Sequence, residues 1–260
     1  MMQTARDYCR EGRQQPLTRE GNEKAKECYE RAIKEDGNYL PAYAEYSYVH
    51  LRAYQNAWDP DREASLDEAE RLADKAVALG NDISKGWHND FRGRWYRAMV
   101  YWNRGDFKTS FQEFAAARAL ITDPKRIAKD TADLDADMAE AYIYYGDPNK
   151  ALALIDSAAA SDPDHAYWHD WNRARALYMA KRYDDALATI RGMTSPPNDV
   201  RLIEAASEAQ LGHLDDARRI MGEFNKIEPG WSLQKSADYR YGDSAARDHW
   251  LDGLSKAGLT

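Results

Sequence analysis

Two groups of residues in this 260-residue chain have types and spacings that could do chemistry. His165 and His169 stand four apart, which puts two imidazoles on one helical face, with Asp162 and Asp170 close by. Such a pair can begin a zinc site, but no third strong ligand is local. Both histidines fall at a helix start, where polar caps and rim residues are ordinary. Asp133, Asp135 and Asp137 alternate like the opening of a calcium loop. The sixth position would then be Met138 where that loop requires Gly, and the twelfth Tyr144 where it requires Glu. An acidic first helical turn, favoured by the helix dipole and capped by Asp130 or Thr131, accounts for the run. There is no Gly-x-Ser-x-Gly elbow, no P-loop and no glycine-rich phosphate cradle, because the 15 glycines are dispersed among turns and helix ends. The sequence therefore points to no catalytic residue, no metal, no cofactor and no enzyme.

The aromatic residues are more informative, with 8 Trp and 17 Tyr against only 5 Phe. Trp and Tyr join apolar area to a polar handle and are enriched where a surface binds something. The net charge of -8 lacks the basic stripe that nucleic-acid phosphates demand. No apolar run approaches the roughly 20 residues of a membrane span, and the N-terminal residues carry no apolar signal region. The expected compartment is the cytoplasm, with no nucleic-acid or membrane partner. Cys9 and Cys28 are too few for a disulfide framework and read as reduced thiols in or near the core.

A repeat supplies the elements that would position these residues. Its clearest copy runs Gly146, Asp147, Pro148, Asn149, Lys150, Ala151, Ile155, Ala158, Asp162, Pro163. From Ala151, the steps of 4, 7 and 12 residues set Ile155 and Ala158 on the same helical face and Pro163 just past the helix end. Tyr183, Asp184, Asp185, Ala186 and Ile190 repeat it, as do Gly212, Leu214, Asp215, Asp216, Ala217, Met221, Phe224 and Pro229. Weaker copies start at Ala25, Ala69 and Gly105. This is the second-helix signature of a tetratricopeptide repeat (TPR). Antiparallel first helices are expected over about 3–13, 40–53, 85–104, 130–145, 166–180 and 199–211, with Ala98, Ala139, Ala174 and Ala205 at the close crossings. Residues 54–64, around Trp58 and Asp59-Pro60, read as a long turn. The expected fold is an all-α TPR superhelix, an α-solenoid of about six antiparallel helix hairpins. Residues 1–230 form the array, and 231–260 form a capping segment of the same domain whose helix runs from about Ser244 to Lys256.

With the register laid out, the chain resembles the TPR region that follows the catalytic domain of many bacterial adenylate/guanylate cyclases. The resemblance is carried by Thr18-Arg-Glu-Gly-Asn-Glu-Lys-Ala25, Tyr29-Glu-Arg-Ala-Ile33, the loop around Trp58, Tyr167-Trp168-His169-Asp170-Trp171 and the run Leu251-Asp-Gly-Leu-Ser-Lys-Ala-Gly-Leu259. It implies an interaction or regulatory module and names no partner. The all-helical pattern leaves no room for the α/β cyclase domain itself.

In such arrays, first-helix positions 2, 5, 9 and 12 face a concave groove. Here they place Tyr48 in the second repeat, Arg92, Trp95 and Trp102 in the third, Asp133 and Glu140 in the fourth, and Trp168, Trp171, Arg175 and Tyr178 in the fifth. The same spacing suits plain helix packing, and the register also puts Arg94 and Arg97 where apolar residues are usual, so groove and core both stay open. The function expected is protein–protein interaction, a scaffold holding a peptide or helix of a partner in the groove. Two alternatives are a regulatory or self-assembling module of a nucleotide-cyclase system, homo-oligomeric in the latter case, and a small-molecule sensor with an aromatic cage.

Overall fold

The computed structural model describes residues 3–88 and 90–260. Met1 and Met2 of the N-terminal stretch, and Asn89 inside the expected helix 85–104, lie outside them. The described residues form helices joined by turns, with no strand. They divide into two compact units, the first ending at Thr122 and the second running Asp123–Thr260.

Unit 1 holds three hairpins: α1 (Ala5–Arg13) with α2 (Arg19–Glu35), α3 (Leu40–Gln55) with α4 (Arg62–Asn81), and α5 (Arg92–Arg104) with α6 (Phe107–Leu120). Unit 2 holds three more: α7 (Ile127–Tyr145) with α8 (Pro148–Ser161), α9 (Tyr167–Met179) with α10 (Tyr183–Gly192), and α11 (Val200–Gln210) with α12 (Leu214–Ile227). Two further helices follow, α13 (Leu233–Ala237) and α14 (Ser244–Lys256). Within each unit a second helix packs on the next first helix, α2 on α3 and α4 on α5, then α8 on α9 and α10 on α11. First helices also touch one another, so each unit presents a continuous first-helix face. This is the TPR-like hairpin packing expected from the repeat.

The turns follow from local chemistry. Gly146 ends α7 in the left-handed region at φ 102°, a conformation a β-carbon disfavours. The Asp147 carboxylate then accepts the Lys150 amide at 3.0 Å, and Pro148 takes the first turn of α8, where its missing N–H costs nothing. Asp106 does the same for α6 through the Thr109 amide. The expected first helix over 85–104 starts instead at Arg92. A 3-10 turn over Ile83–Lys85, ended by Gly86, occupies its beginning.

Small side chains let the helices approach. Ala98, Ala139, Ala174 and Ala205 on first helices, and Ala25, Ala69, Ala73, Ala151, Ala186 and Ala217 on second helices, are shut off from solvent. Gly93 crosses α4 so closely that a β-carbon there would sit 3.0 Å from that of Ala76. Arg94 and Arg97, which the register puts at usually apolar positions, are accommodated as ions. Arg94 pairs with Glu113 at 3.2 Å, while Arg97 pairs with Glu113 at 2.6 Å and Asp74 at 3.2 Å, tying α5 to α6 and α4. Cys9 and Cys28 are buried free thiols, and burial pushes the Cys9 thiol up to about 12.

An aspartate at either crossing alanine of α8 or α10 would be an unpaired buried charge. Ala151→Asp and Ala186→Asp are each expected to lower unfolding stability by about 3 kcal/mol or more, read by denaturant or thermal unfolding. Wild-type midpoints for both would show that these positions are not helix crossings.

Candidate functional site: the first-helix faces

On unit 1 the face is built by α1, α3 and α5. Glu45, Tyr48 and Arg52 recur along one side of α3, and Arg92, Trp95 and Tyr96 along the N-terminal half of α5. The Tyr48 and Tyr96 rings stack across the two helices, with centroids 4.9 Å apart and planes 13° from parallel. Arg52 lies 5.3 Å from the Tyr48 ring centroid, and its Nη2 donates to Asn22 Oδ1 at 2.9 Å. Beneath them Glu45 is buried between two cations, 3.4 Å from Arg13 Nη1 and 4.0 Å from Arg92 Nη1. Arg92 also clasps Asp90, with Nε 2.9 Å from Oδ1. Burial pushes the Glu45 carboxyl above its usual range, and the two guanidinium groups pull it back in part. Tyr48, Arg92 and Trp95 thus share one half-buried surface. Trp102 does not share it, because its ring is wholly enclosed. The expectation of a groove anchor there is corrected to a core residue.

On unit 2 the face is built by α7, α9 and α11. Asp133 meets α9 through His169, whose Nε2 lies 3.1 Å from Asp133 Oδ1, and Lys129 adds an ion pair at 3.0 Å. Burial raises the Asp133 carboxyl, but those two hydrogen bonds outweigh it and hold the group below its usual range. His165 and His169 stack at 4.9 Å, each turned toward an aspartate: His165 Nε2 is 3.3 Å from Asp170. Trp168 and Trp171 are half-buried beside them. Glu140, also half-buried, makes no ion pair among the described residues; burial pushes its carboxyl up to about 7, against the pull of Arg175. The nearby Asp199 carboxyl is pushed up as well, to about 6, by desolvation against the pull of backbone amides at the start of α11.

Arg175 and Tyr178 were expected as anchors on an open inner wall. The structure corrects this: Arg175 is 3% exposed and Tyr178 fully buried. The physical reason is α14. It begins and ends where the sequence places it, yet it packs on α11 and α9, both first helices, rather than on α12. Trp250 sits on the Arg175 guanidinium, 3.2 Å from ring centroid to Cζ. The Tyr178 hydroxyl donates to the His249 carbonyl at 3.0 Å, and Gln210 Nε2 donates to Asp252 at 2.9 Å. The segment before α14 adds Tyr241, whose hydroxyl accepts from Arg175 Nη2 at 2.8 Å, and Tyr239, stacked on Tyr144 at 5.6 Å. Pairings this distant in sequence, such as Arg175 with Tyr241 and Trp250, leave no periodic signal. Neither did the Glu45 cluster, whose members come from three helices.

No protein family and no curated protein matches the sequence. Among solved structures, a thermophilic TPR protein of Thermus thermophilus is similar at 20% identity and a TM-score of 0.42, over 71% of this chain and 100% of that one. The TPR domain of P58(IPK) is similar at 14% identity and a TM-score of 0.27, over 97% of this chain and 86% of that one. At these scores neither likeness bears on a ligand. No helix among the described residues is long and apolar enough to cross a membrane.

The raised Glu140 carboxyl makes a pH prediction. Its neutral form is favoured by folding, so its contribution is intact below about 4.5, the unfolded value, and is lost as pH rises through about 7. The amide of Glu140→Gln has no such loss. The stability of Glu140→Gln relative to wild type is therefore expected to rise between pH 4.5 and 8 by about 1–3 kcal/mol, read by urea unfolding across pH. A difference that stays flat, or falls, would mean that Glu140 is held charged.

Proposed function

We propose that the chain is a protein-interaction module that takes a peptide or a helix of a partner protein on its first-helix faces, and that the face of unit 1 is an open site. One observation carries this reading. The stacked Tyr48 and Tyr96 rings, with Trp95 beside them and Arg52, Arg13 and Arg92 around them, lie half-buried on one surface where helix packing alone would select aliphatic side chains. Aromatic and Arg side chains dominate binding hot spots, because they combine large rigid area with directional polar groups. The buried Glu45 and half-buried Asp90 carboxylates fix Arg92 and so preorganise its part of that surface. On unit 2 the half-buried remainder of the face, with Trp168, Trp171, Asp133 and Glu140, offers aromatic rings and acidic groups. Its charge would suit a segment carrying basic side chains. A role beside a nucleotide cyclase rests on the sequence resemblance alone.

The experiment is to isolate a partner by affinity capture and titrate it calorimetrically against single variants. Tyr48→Ala and Trp95→Ala, verified as folded by circular dichroism, are each expected to weaken binding by about 2 kcal/mol, roughly 30-fold. Lys150→Ala, at an exposed position on the second helix α8, is expected to leave it unchanged. If both aromatic variants keep wild-type affinity, the unit 1 face is not the site.

A further inference from the structure

The seat of α14 is unusual for the last helix of a hairpin row. A helix continuing the row would lie mainly on the preceding second helix, as α3 lies on α2 and α11 on α10, but α14 lies across the first helices α9 and α11 instead. Part of its seat is apolar, with Trp250, Leu254, Ala257 and Leu259 joining the buried cluster of Tyr178, Ala205, Ala206 and Ala209, but the part over Arg175 is unlike a core. Arg175 is buried with no carboxylate in ion-pair range among the described residues, its Nε has no hydrogen-bond partner, and its guanidinium is held by an indole and a tyrosine hydroxyl. Burying a cation without a counter-ion is costly, whereas on an open face the same side chain is solvated and ready to meet a ligand. The fit to α14 depends on a few residues. Trp250 covers Arg175, Leu254 four residues on is fully buried, and Gly253 passes so close that a β-carbon would meet the Tyr178 hydroxyl at 2.1 Å and the Ala206 β-carbon at 3.1 Å. Tyr178, Gln210 and Asp252 supply the polar rim. The covering segment is closed on itself as well, since the Leu233 amide donates to the Thr260 carbonyl at 3.0 Å and α13 packs on α14.

We infer that the α9–α11 face is a helix-binding groove occupied in cis by α14, and that its partner is an amphipathic helix of the same pattern, an aromatic residue followed by glycine three positions on and leucine four on, which binds by displacing residues 233–260. This deepens the interaction reading for unit 2 and rests on it. The intramolecular helix competes at an effective concentration in the millimolar range, so a partner in trans meets a groove that is mostly closed. Any change that loosens α14 raises the groove's apparent affinity.

The test uses the full chain and, as the partner, a fluorescent synthetic peptide of residues 244–260, read by anisotropy. It needs no natural partner, so a failure of the unit 1 reading leaves it intact. Gly253→Leu puts a side chain against Tyr178 while keeping a good helix former, and detaches the helix in cis. That variant is expected to bind the peptide at least tenfold more tightly than wild type. Asp252→Lys, at the exposed rim, removes the contacts to Gln210 and Lys256 without a steric clash and is expected to tighten binding about threefold. If Gly253→Leu fails to fold by circular dichroism, Asp252→Lys decides. Peptide binding by the folded variants no tighter than by wild type would overturn the inference and make α14 an ordinary part of the core.

Discussion

The close crossing of helices at alanine is the constraint on which the rest of this protein depends. Where a first helix meets its second helix, and where a second helix meets the next first helix, the side chains are cut to methyl groups or, at Gly93, to hydrogen. Tight crossings fix the rotation of each first helix about its axis, and rotation decides which residues leave the core. Tyr48, Arg52 and Tyr96 come to one surface in unit 1, and Trp168, Trp171 and Glu140 in unit 2, while Ala98, Ala139 and Ala174 are shut inside the crossings. The candidate surface is a by-product of how the core is packed, as expected of an array whose hairpins contact chiefly their neighbours.

The two faces handle charge differently. In unit 1 the buried Glu45 is matched by Arg13 and Arg92, and Arg92 in turn by Asp90, so the ions largely satisfy one another and hold the surface side chains in place. In unit 2 Glu140 and Arg175 feel each other electrostatically but form no ion pair, and Arg175 is stabilised by the ring of Trp250 and the hydroxyl of Tyr241. A face whose charges are internally matched can stay open. Over the unmatched Arg175 the cover of α14 carries a desolvation cost, which the ring of Trp250 and the hydroxyl of Tyr241 offset only in part.

Most of the helical scaffold was legible in the sequence, because a repeat states each local rule several times. The steps from Ala151 to Ile155 and Ala158 located α8, and the capping helix expected from about Ser244 to Lys256 is α14. The start of α5 was not legible, since Gly86 and the 3-10 turn before it interrupt the pattern without leaving a proline or a capping box. The candidate site was half legible. The register set Tyr48, Trp95, Trp168 and Trp171 on the first-helix faces, but it describes a row of hairpins and knows nothing of a segment that folds back across them. Arg175 and Tyr178 were misread for that reason, and Trp102 because helical spacing alone does not separate a groove position from an enclosed one. The short helix α13 was missed, being too short to show a period.

Native-state hydrogen exchange of the wild-type chain tests the central claim most directly: that the hairpins form the stable body and α14 is a ligand lying on it. The amides of Ala246 to Lys256 are expected to exchange through an opening that leaves those of α9 and α11 protected, with a markedly lower opening free energy and a smaller denaturant dependence. Exchange of α14 only together with α9 and α11, at one common opening free energy, would contradict it.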